Sequence, residues 1–432
     1  MALYRSSLRA RLSTEDANPR AINVQPEATT SRVAQLKKET DESVAEVVRV
    51  AAEGELLTEE METLTEEHQG LSEMKATVES FRSEGGLNPQ AAAVLATALE
   101  GFRSRIGLTV SIPSTESFGS RTDRMDMTEI SIESISEKAK KVWEWIKKQW
   151  ERLTSWIKGL FGKKKESAEK LKERFKALKD ADAPEGNLPA DAGMEYNTTK
   201  NVFYADKLIE SPDAAVDFVK RNVTLGLAIV NGSKLFTESA AKLKDGAKAT
   251  SPEEAAKMAN EALKPLGEGF INAASSLTVS VEVPADKKKE GFDYSKVLGY
   301  YFGGKVFAIG AKSKDGKLES VDIIVIAPEK IEGKDGKLKF PEWNKVQSSS
   351  EEVYKYLEDY TSSKLDETFA KVEDAVKNIG DNDEQVNVVK SVVADLSKLV
   401  TTIMGKIDTE VLSGLSKVAD YYEAARDAYK KD

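Results

Sequence analysis

The chain has 432 residues, of which 40% are hydrophobic and 31% are charged, enough apolar mass for roughly two to four domains with a true core. It contains no cysteine, which excludes disulfides and thiolate metal sites. No apolar run approaches the length of a membrane span. The N-terminus lacks the apolar region of a secretory signal.

The single histidine, His68, lies in the acidic run TEEMETLTEEHQG, where we expect a solvated position on a helix surface. One histidine without cysteine cannot build a zinc site with two histidines or a Cys–His pair within one chain. Carboxylate or lysine chemistry stays open, but no spacing singles out a pair. We therefore predict no catalytic residue, no metal ligand, no cofactor and no small-molecule substrate.

Charge is spread unevenly along the chain, whose net charge is −10. Residues 1–116 hold 12 Lys+Arg against 19 Asp+Glu, a net of −7, whereas residues 134–179 hold 15 against 6, a net of +9. An acidic N-terminal part followed by a basic stretch indicates different roles for the two parts.

The N-terminal part is predicted to be disordered over residues 1–28 and helical after that. Apolar residues recur at helical spacing from Thr29 to Ser83, which predicts two or three helices broken near Gly54 and Gly70.

A further helix is predicted from Pro89 to Arg105. Residues 29–116 are thus interpreted as an acidic helical segment. Residues 106–133 show no sustained period and are predicted to be a linker.

The next helix, predicted from Ser134 to Phe161, carries one apolar stripe with spacings of 3, 4, 3, 4 and 3. After the GKKK run at 162–165, a second basic helix is predicted to extend to Lys179, so that residues 134–180 form a pair of basic amphipathic helices. The residues predicted for the contact stripe are Trp143, Ile146, Trp150, Leu153 and Ile157, and the stripe continues to Leu160.

Three interpretations of this stripe remain open. It can dock on the rest of the protein, or lie on an anionic membrane surface with its lysines toward the headgroups. In the third interpretation the lysines contact DNA phosphates weakly and without sequence preference. The predicted phosphate contacts are Lys140, Lys141, Lys147, Lys148, Lys163, Lys164 and Lys165.

The remainder, residues 194–432, is predicted to be a helical domain with a small antiparallel sheet at about residues 278–340, which makes the fold mainly helical α+β. Helices are predicted over 212–245 and 252–277 and in the tail from Ser349, with breaks near Gly380 and Gly405. Aromatic and β-branched runs at 297–310 and 320–327 predict strands, and the Asp-Gly pairs at 315–316 and 335–336 predict tight hairpins.

Two other features resemble binding motifs but favour structural roles. The Gly303-Gly304 pair beside Lys305 lacks the spacing of a phosphate loop, which favours a hairpin or bulge. Aromatic residues that could stack on nucleobases are not interleaved with positive charge, which favours sheet core. They are Tyr300, Tyr301, Phe302 and Phe307, and the Tyr421-Tyr422 pair is likewise predicted to pack internally.

The tripeptide Ser-x-Glu occurs twice within the predicted linker, as Ser114-Thr115-Glu116 and Ser131-Ile132-Glu133. Such a tripeptide carries little weight alone, but an extended linker can enter a protease cleft, which raises the weight of these two copies.

These patterns resemble the internal head proteins of phiKZ-like giant phages. The resemblance rests on STESFGSRTDRMDMTEISIES, on SEKAKKVWEWIKKQWERLTSWIKGLFGKKK, on LGYYFGGKVFAIGAKSKDGKLESVDIIVIA and on the helical tail. It implies a non-enzymatic structural protein, made in the host cytoplasm, assembled with other head proteins inside the phage head and cut by the prohead protease after Ser-x-Glu. For some members it also implies ejection with the DNA. Carried over to this chain, the Ser-x-Glu motif gives Glu116 and Glu133 as the predicted cleavage positions. Residues 29–116 would then be a propeptide-like segment, and the linker would be cleavable over 117–133.

Two other classes of function stay open. The first is a host-directed interaction or membrane-binding protein that acts through the Trp/Lys helix. The second is a hydrolase with an unrecognised carboxylate site.

Overall fold

The structure is a computed structural model in which helices predominate and a small four-stranded antiparallel sheet follows the middle of the chain. This confirms the predicted mainly helical α+β class. It describes residues 31–106, 120–199, 202–246, 251–265, 278–279, 281–315, 317–328, 336–379 and 383–429. Residues 1–28, predicted to be disordered, lie outside these ranges.

The elements are labelled in chain order. The helices are α1 (Ser31–Ser80), α2 (Pro89–Ile106), α3 (Arg121–Lys179), α4 (Tyr196–Thr199), α5 (Pro212–Gly246), α6 (Pro252–Lys264), α7 (Trp343–Ser362), α8 (Leu365–Lys377), α9 (Asp383–Val400) and α10 (Asp408–Asp427). A π-helix, Thr401–Ile407, joins α9 to α10, and a short 3-10 helix spans Ala285–Lys287. The strands are β1 (Gly193–Glu195), β2 (Thr278–Val279), β3 (Asp293–Tyr301), β4 (Lys305–Lys314), β5 (Lys317–Ile326) and β6 (Lys337–Lys339).

Two long helices, α1 and α3, pack antiparallel along each other. Ser43 near the start of α1 hydrogen-bonds Ser167 near the end of α3. At the opposite end, Arg82 just after α1 pairs with Glu129 near the start of α3 at 2.6 Å. The 59 residues of α3 give it a length of about 88 Å, and α7, α8 and α10 pack against it as well.

The predicted breaks at Gly54 and Gly70 are wrong, because α1 is continuous from Ser31 to Ser80. At Gly54 the reason is packing: a Cβ placed there would lie 2.3 Å from the ring of Trp156 on α3. The Trp156 indole nitrogen also donates to the Val50 carbonyl at 2.7 Å. This glycine therefore lets a neighbouring helix approach rather than ending its own.

The prediction of a linker is wrong from Arg121 onward, because α3 begins there and not at Ser134. Ser120 caps the helix: its side chain accepts from the Asp123 amide at 3.1 Å, and the Asp123 carboxylate accepts from the Ser120 amide at 2.8 Å. Thr128 on this first part of the helix is buried, as is Ile132. Residues 107–119 lie outside the described residues.

The predicted break after Phe161 is also wrong, since α3 runs without interruption through the GKKK run to Lys179. The helix predicted over 212–245 is confirmed as α5. The helix predicted over 252–277 is confirmed as α6 only to Lys264, and residues 266–277 lie outside the described residues.

The main sheet has the order β2-β3-β4-β5, with antiparallel pairing throughout. The Gly303-Gly304 pair forms the turn between β3 and β4, with φ angles of 82° and 70° that favour glycine. Strands β4 and β5 pair antiparallel up to Lys314 and Lys317, as the predicted hairpin requires, and Asp315 between them has a φ of 51°; Gly316 lies outside the described residues. Strands β1 and β6 form a separate two-stranded sheet, and β6 begins directly after Gly336.

The C-terminal tail is helical as predicted, but the break expected near Gly405 is wrong. The chain continues there as a π-helix into α10. The other expected break, near Gly380, lies outside the described residues. Helices α7 and α8 are separated near Ser363 and Lys364, a break that the sequence pattern did not indicate.

Helix α9 covers β5, a strand at the edge of the main sheet, through the carboxylate of Asp395. That carboxylate accepts from the Ser320 hydroxyl at 2.6 Å and from the Val321 amide at 3.0 Å. The second bond satisfies a backbone N–H of the edge strand. Neighbouring Asp322 accepts from the Tyr294 hydroxyl and the Lys398 ammonium, both at 2.5 Å. Burial is the largest influence on Asp395 and raises its pKa to about 6.

Because the pKa of Asp395 is higher in the folded state than in the unfolded chain, the folded state holds a proton that the unfolded chain has released between about pH 4 and pH 6. This contribution to stability is complete at low pH and is lost as the pH rises through about 6. We expect Asp395→Asn to remove it, a difference of up to about 3 kcal/mol across that window. Urea unfolding of both proteins from pH 4 to 7 measures the difference, and parallel pH profiles would contradict it.

Candidate functional site on helix α3

Helix α3 has one buried face and one exposed face along most of its length, and the predicted contact stripe lies on the buried one. The five stripe residues Trp143, Ile146, Trp150, Leu153 and Ile157 are each at most 2% exposed. They belong to the main hydrophobic core together with α1 and the C-terminal helices. The stripe therefore packs inside the protein, and a membrane could reach it only if the fold opened.

His68 is buried, so the expectation of a solvated surface position is wrong. It is 4% exposed, and its ring meets the Trp143 ring edge-on with centroids 6.0 Å apart. Met61, His68 and Leu71 are all buried on one face of α1. Their spacing of seven and three residues is the signal that could have placed the histidine in the core.

The buried pair Lys164–Asp408 fastens α3 to α10. The Lys164 ammonium lies 2.8 Å from the Asp408 carboxylate and donates to the Met404 carbonyl of the π-helix. The same carboxylate oxygen accepts from the Tyr360 hydroxyl at 2.7 Å. Burial lowers the pKa of Lys164, whereas the charge of Asp408 opposes that shift.

A phosphate cannot reach Lys164, since this side chain is fully buried and engaged. The prediction of a phosphate contact is therefore wrong for this residue. The alternating spacing of the stripe, continued by four residues from Leu160, falls on Lys164 and is the signal that could have separated it from its neighbours. The break predicted after Phe161 ended the stripe before that position.

A second buried cation, Arg174, joins the end of α3 to α10. Its guanidinium forms two hydrogen bonds to the Glu423 carboxylate, at 2.8 and 2.7 Å, and a third to Asp420 at 2.8 Å. This paired geometry suits a planar guanidinium and gives it orientation as well as charge compensation. The sequence pattern did not single out Arg174 or its partners.

Four of the predicted phosphate-contact lysines lie on the exposed face of α3: Lys140, Lys141, Lys148 and Lys163. None of the four has a carboxylate oxygen within 4 Å among the described residues.

Lys147 and Lys165 are half-buried. Lys147 pairs with Glu144 at 3.0 Å, and Lys165 lies over the Phe161 ring at 4.9 Å. They are therefore less available than the four exposed lysines.

The two Ser-x-Glu motifs are placed differently. Glu133 is exposed on α3, but Ser131 and Ile132 beside it are buried in helical backbone. A protease that needs extended substrate would have to unwind the helix there. Glu116 belongs to the chain between α2 and α3, outside the described residues.

The remaining candidate features are structural, as predicted. Tyr301, Phe302 and Phe307 are buried in the core, and Tyr300 packs partly buried against it. Lys305, beside the glycine turn, pairs with Glu410. Both Tyr421 and Tyr422 are fully buried.

Across the described ranges, no three His, Cys, Asp or Glu side chains are placed to hold a metal ion. In the same part of the chain, no helix is long and apolar enough to cross a membrane. The buried carboxylates of Asp322 and Asp395 are each engaged by partners of their own. Within the described residues, the structure thus shows ion pairs that join helices and an exposed basic face on α3.

Comparison with known proteins agrees with a structural role. A family model for phiKZ-like phage internal head proteins matches residues 42–424, which extend from α1 to α10. The chain therefore belongs to this family of phage structural proteins, whose place is inside the head of the virion. No curated protein matches the chain, and no solved structure matches it.

We expect Trp150→Asp to destabilise the protein strongly, because it places an unpaired charge in the middle of the buried stripe. A loss of a few kcal/mol should lower the melting temperature by several degrees. Ser155→Asp introduces the same charge on the exposed face of the same helix and should leave the melting temperature nearly unchanged. Equal melting temperatures for the two variants would show that the stripe does not support the fold.

Proposed function

We propose that this protein is a non-enzymatic component packed inside the phage head, associated with other head proteins beside the genome and cut once by the prohead protease. The observation that carries the proposal is the family match over residues 42–424. A core built from long helices, which buries four of the five tryptophans, supports a structural role.

The proposed cut follows Glu116, in the chain that joins α2 to α3. Glu116 ends a Ser-x-Glu motif, as does Glu133, but Glu133 lies within α3 beside the buried residues Ser131 and Ile132. Cleavage at Glu133 would require the loss of helix and core contacts before the protease could bind.

Terminal sequencing of protein extracted from virions should therefore find Ser117 as a new N-terminus. Glu116→Gln should abolish that terminus, whereas the matched change Glu133→Gln should leave it in place. Ser134 as the new terminus, or an intact chain through residues 107–119, would contradict the proposed position.

Weak contact with packaged DNA is proposed through the exposed lysines of α3. None of these lysines forms an ion pair within 4 Å in the described residues, and such charges bind phosphate by releasing condensed counterions. The net charge of −10 opposes close approach of the whole protein, so the contact should be weak and sensitive to salt.

Replacing Lys140, Lys141, Lys148 and Lys163 with glutamine should weaken binding to duplex DNA and flatten its dependence on salt. The log–log slope should fall by about one for each lysine that contacts a phosphate. A control with the same change in net charge replaces Lys38, Lys244, Lys355 and Lys364, which are paired with carboxylates elsewhere. Gel shifts at several salt concentrations compare them, and equal losses in both variants would show only an effect of total charge.

A further inference from the structure

We propose that a single cut between α2 and α3 does not release the acidic N-terminal part, which stays bound as the second chain of a two-chain complex. The cut itself belongs to the proposed function. Retention of the N-terminal part depends on the contacts of the folded protein. It is therefore expected after a cut between α2 and α3 by any protease.

The apolar contacts of α1 extend over most of its length rather than being confined to one end. Val47, Met61, Leu71 and Val78 are each at most 1% exposed and belong to the same core cluster as the α3 stripe. Because burial of apolar area is the main favourable term in association, an interface of this kind does not depend on the covalent connection. The covalent link between α2 and α3 keeps the two parts at a high effective concentration, but the apolar contacts named above are made by α1 itself.

Polar contacts fix the position of α1 along α3. The Trp156 indole donates to the Val50 carbonyl at 2.7 Å, and the Gln149 side chain donates to the Leu57 carbonyl at 3.1 Å. Since both carbonyls belong to α1, a shift of one helix along the other would break both bonds.

A notch between two glycines holds Trp156. A Cβ at Gly54 on α1 would lie 2.3 Å from its ring, and one at Gly405 in the π-helix would lie 3.1 Å from it. The indole of α3 is thus enclosed by α1 and the π-helix together.

The C-terminal helices hold α1 as well. Thr58 and Thr401 share a hydrogen bond at 2.6 Å, and the Ser416 hydroxyl donates to Asp41 at 3.1 Å. Lys37 pairs with Asp420, which also accepts from buried Arg174. Helix α1 therefore contacts α3, the π-helix and α10 at the same time. Its dissociation would expose buried surface on all three.

Retention of the N-terminal part determines the net charge of the protein after the cut. After a cut at Glu116, the acidic side chains of residues 1–116 stay on the protein, so the cut alone does not make it more basic. Complete removal of this part from a particle would require further cuts within α1.

The test uses the full chain with a site for a sequence-specific protease, flanked by Gly-Ser spacers, inserted after Pro113. After cutting, size-exclusion chromatography and native mass spectrometry at micromolar concentration should find both parts together in a one-to-one complex. They should separate in denaturant. Release of the N-terminal part from the cut chain in native buffer overturns the proposal.

A matched pair of glycine variants tests the notch. Gly54→Leu obstructs the place of Trp156, so at least tenfold more of the N-terminal part should be released after cutting. Gly101→Leu, on α2 where a Cβ meets nothing within 4 Å, should behave like the unaltered chain. Equal release in the two variants overturns the role of the notch.

If Gly54→Leu does not fold, Leu71→Ala supplies a milder loss at the same interface, again with Gly101→Leu as the control. Because the break is engineered, the outcome is independent of whether the phage protease cuts at Glu116. An absent Ser117 terminus in virions would defeat the proposed cleavage and leave the docking result intact.

Discussion

The apolar face of helix α3 must be covered by other parts of the chain, and this requirement explains most of the fold. Its buried face carries large apolar side chains for most of its 59 residues, far more than an isolated helix can leave in water. Helix α1 lies along it in the antiparallel direction, while α7, α8 and α10 pack against it as well. The N-terminal and C-terminal parts of the sequence are thus joined through a helix that lies between them in the chain.

Charged side chains lie in this core at positions where they join one helix to another. A buried lysine such as Lys164 is costly to desolvate, and its pairing with Asp408 offsets that cost only because both groups have further polar partners. An apolar pair could give comparable stability, but it would not require the Met404 carbonyl to face α3. We infer that the pair sets the register of α10 against α3, because the π-helix brings that carbonyl toward Lys164.

The sequence predicted the class of fold, the helix over α5 and the turn at Gly303 because those features follow from local period and local backbone preference. It failed where distant residues decide the outcome. Glycine is typical of a helix break, which is why Gly54 was predicted to be one. It lies within a continuous helix because the Trp156 ring of α3 packs directly against its backbone. Lys164 is buried and Lys163 is exposed although the two side chains are alike. The spacing of the stripe, continued by four residues from Leu160, falls on Lys164, but the break predicted after Phe161 ended the stripe before it. The capping residues Ser120 and Asp123 were local signals of the start of α3 that the linker interpretation overlooked.

The arrangement of the exposed lysines limits what DNA contact can contribute. Lys140, Lys141 and Lys148 lie within about 12 Å along the axis of α3, and Lys163 lies about 22 Å beyond Lys148, from a rise of 1.5 Å per residue. The Debye length at physiological salt is about 8 Å, so the two positions act on phosphates almost independently. In the proposed contact, a group of three lysines and one distant lysine on a protein of net charge −10 would give only a weak attraction to DNA. Retention inside the head should therefore depend more on contacts with other head proteins and on confinement than on affinity for the genome.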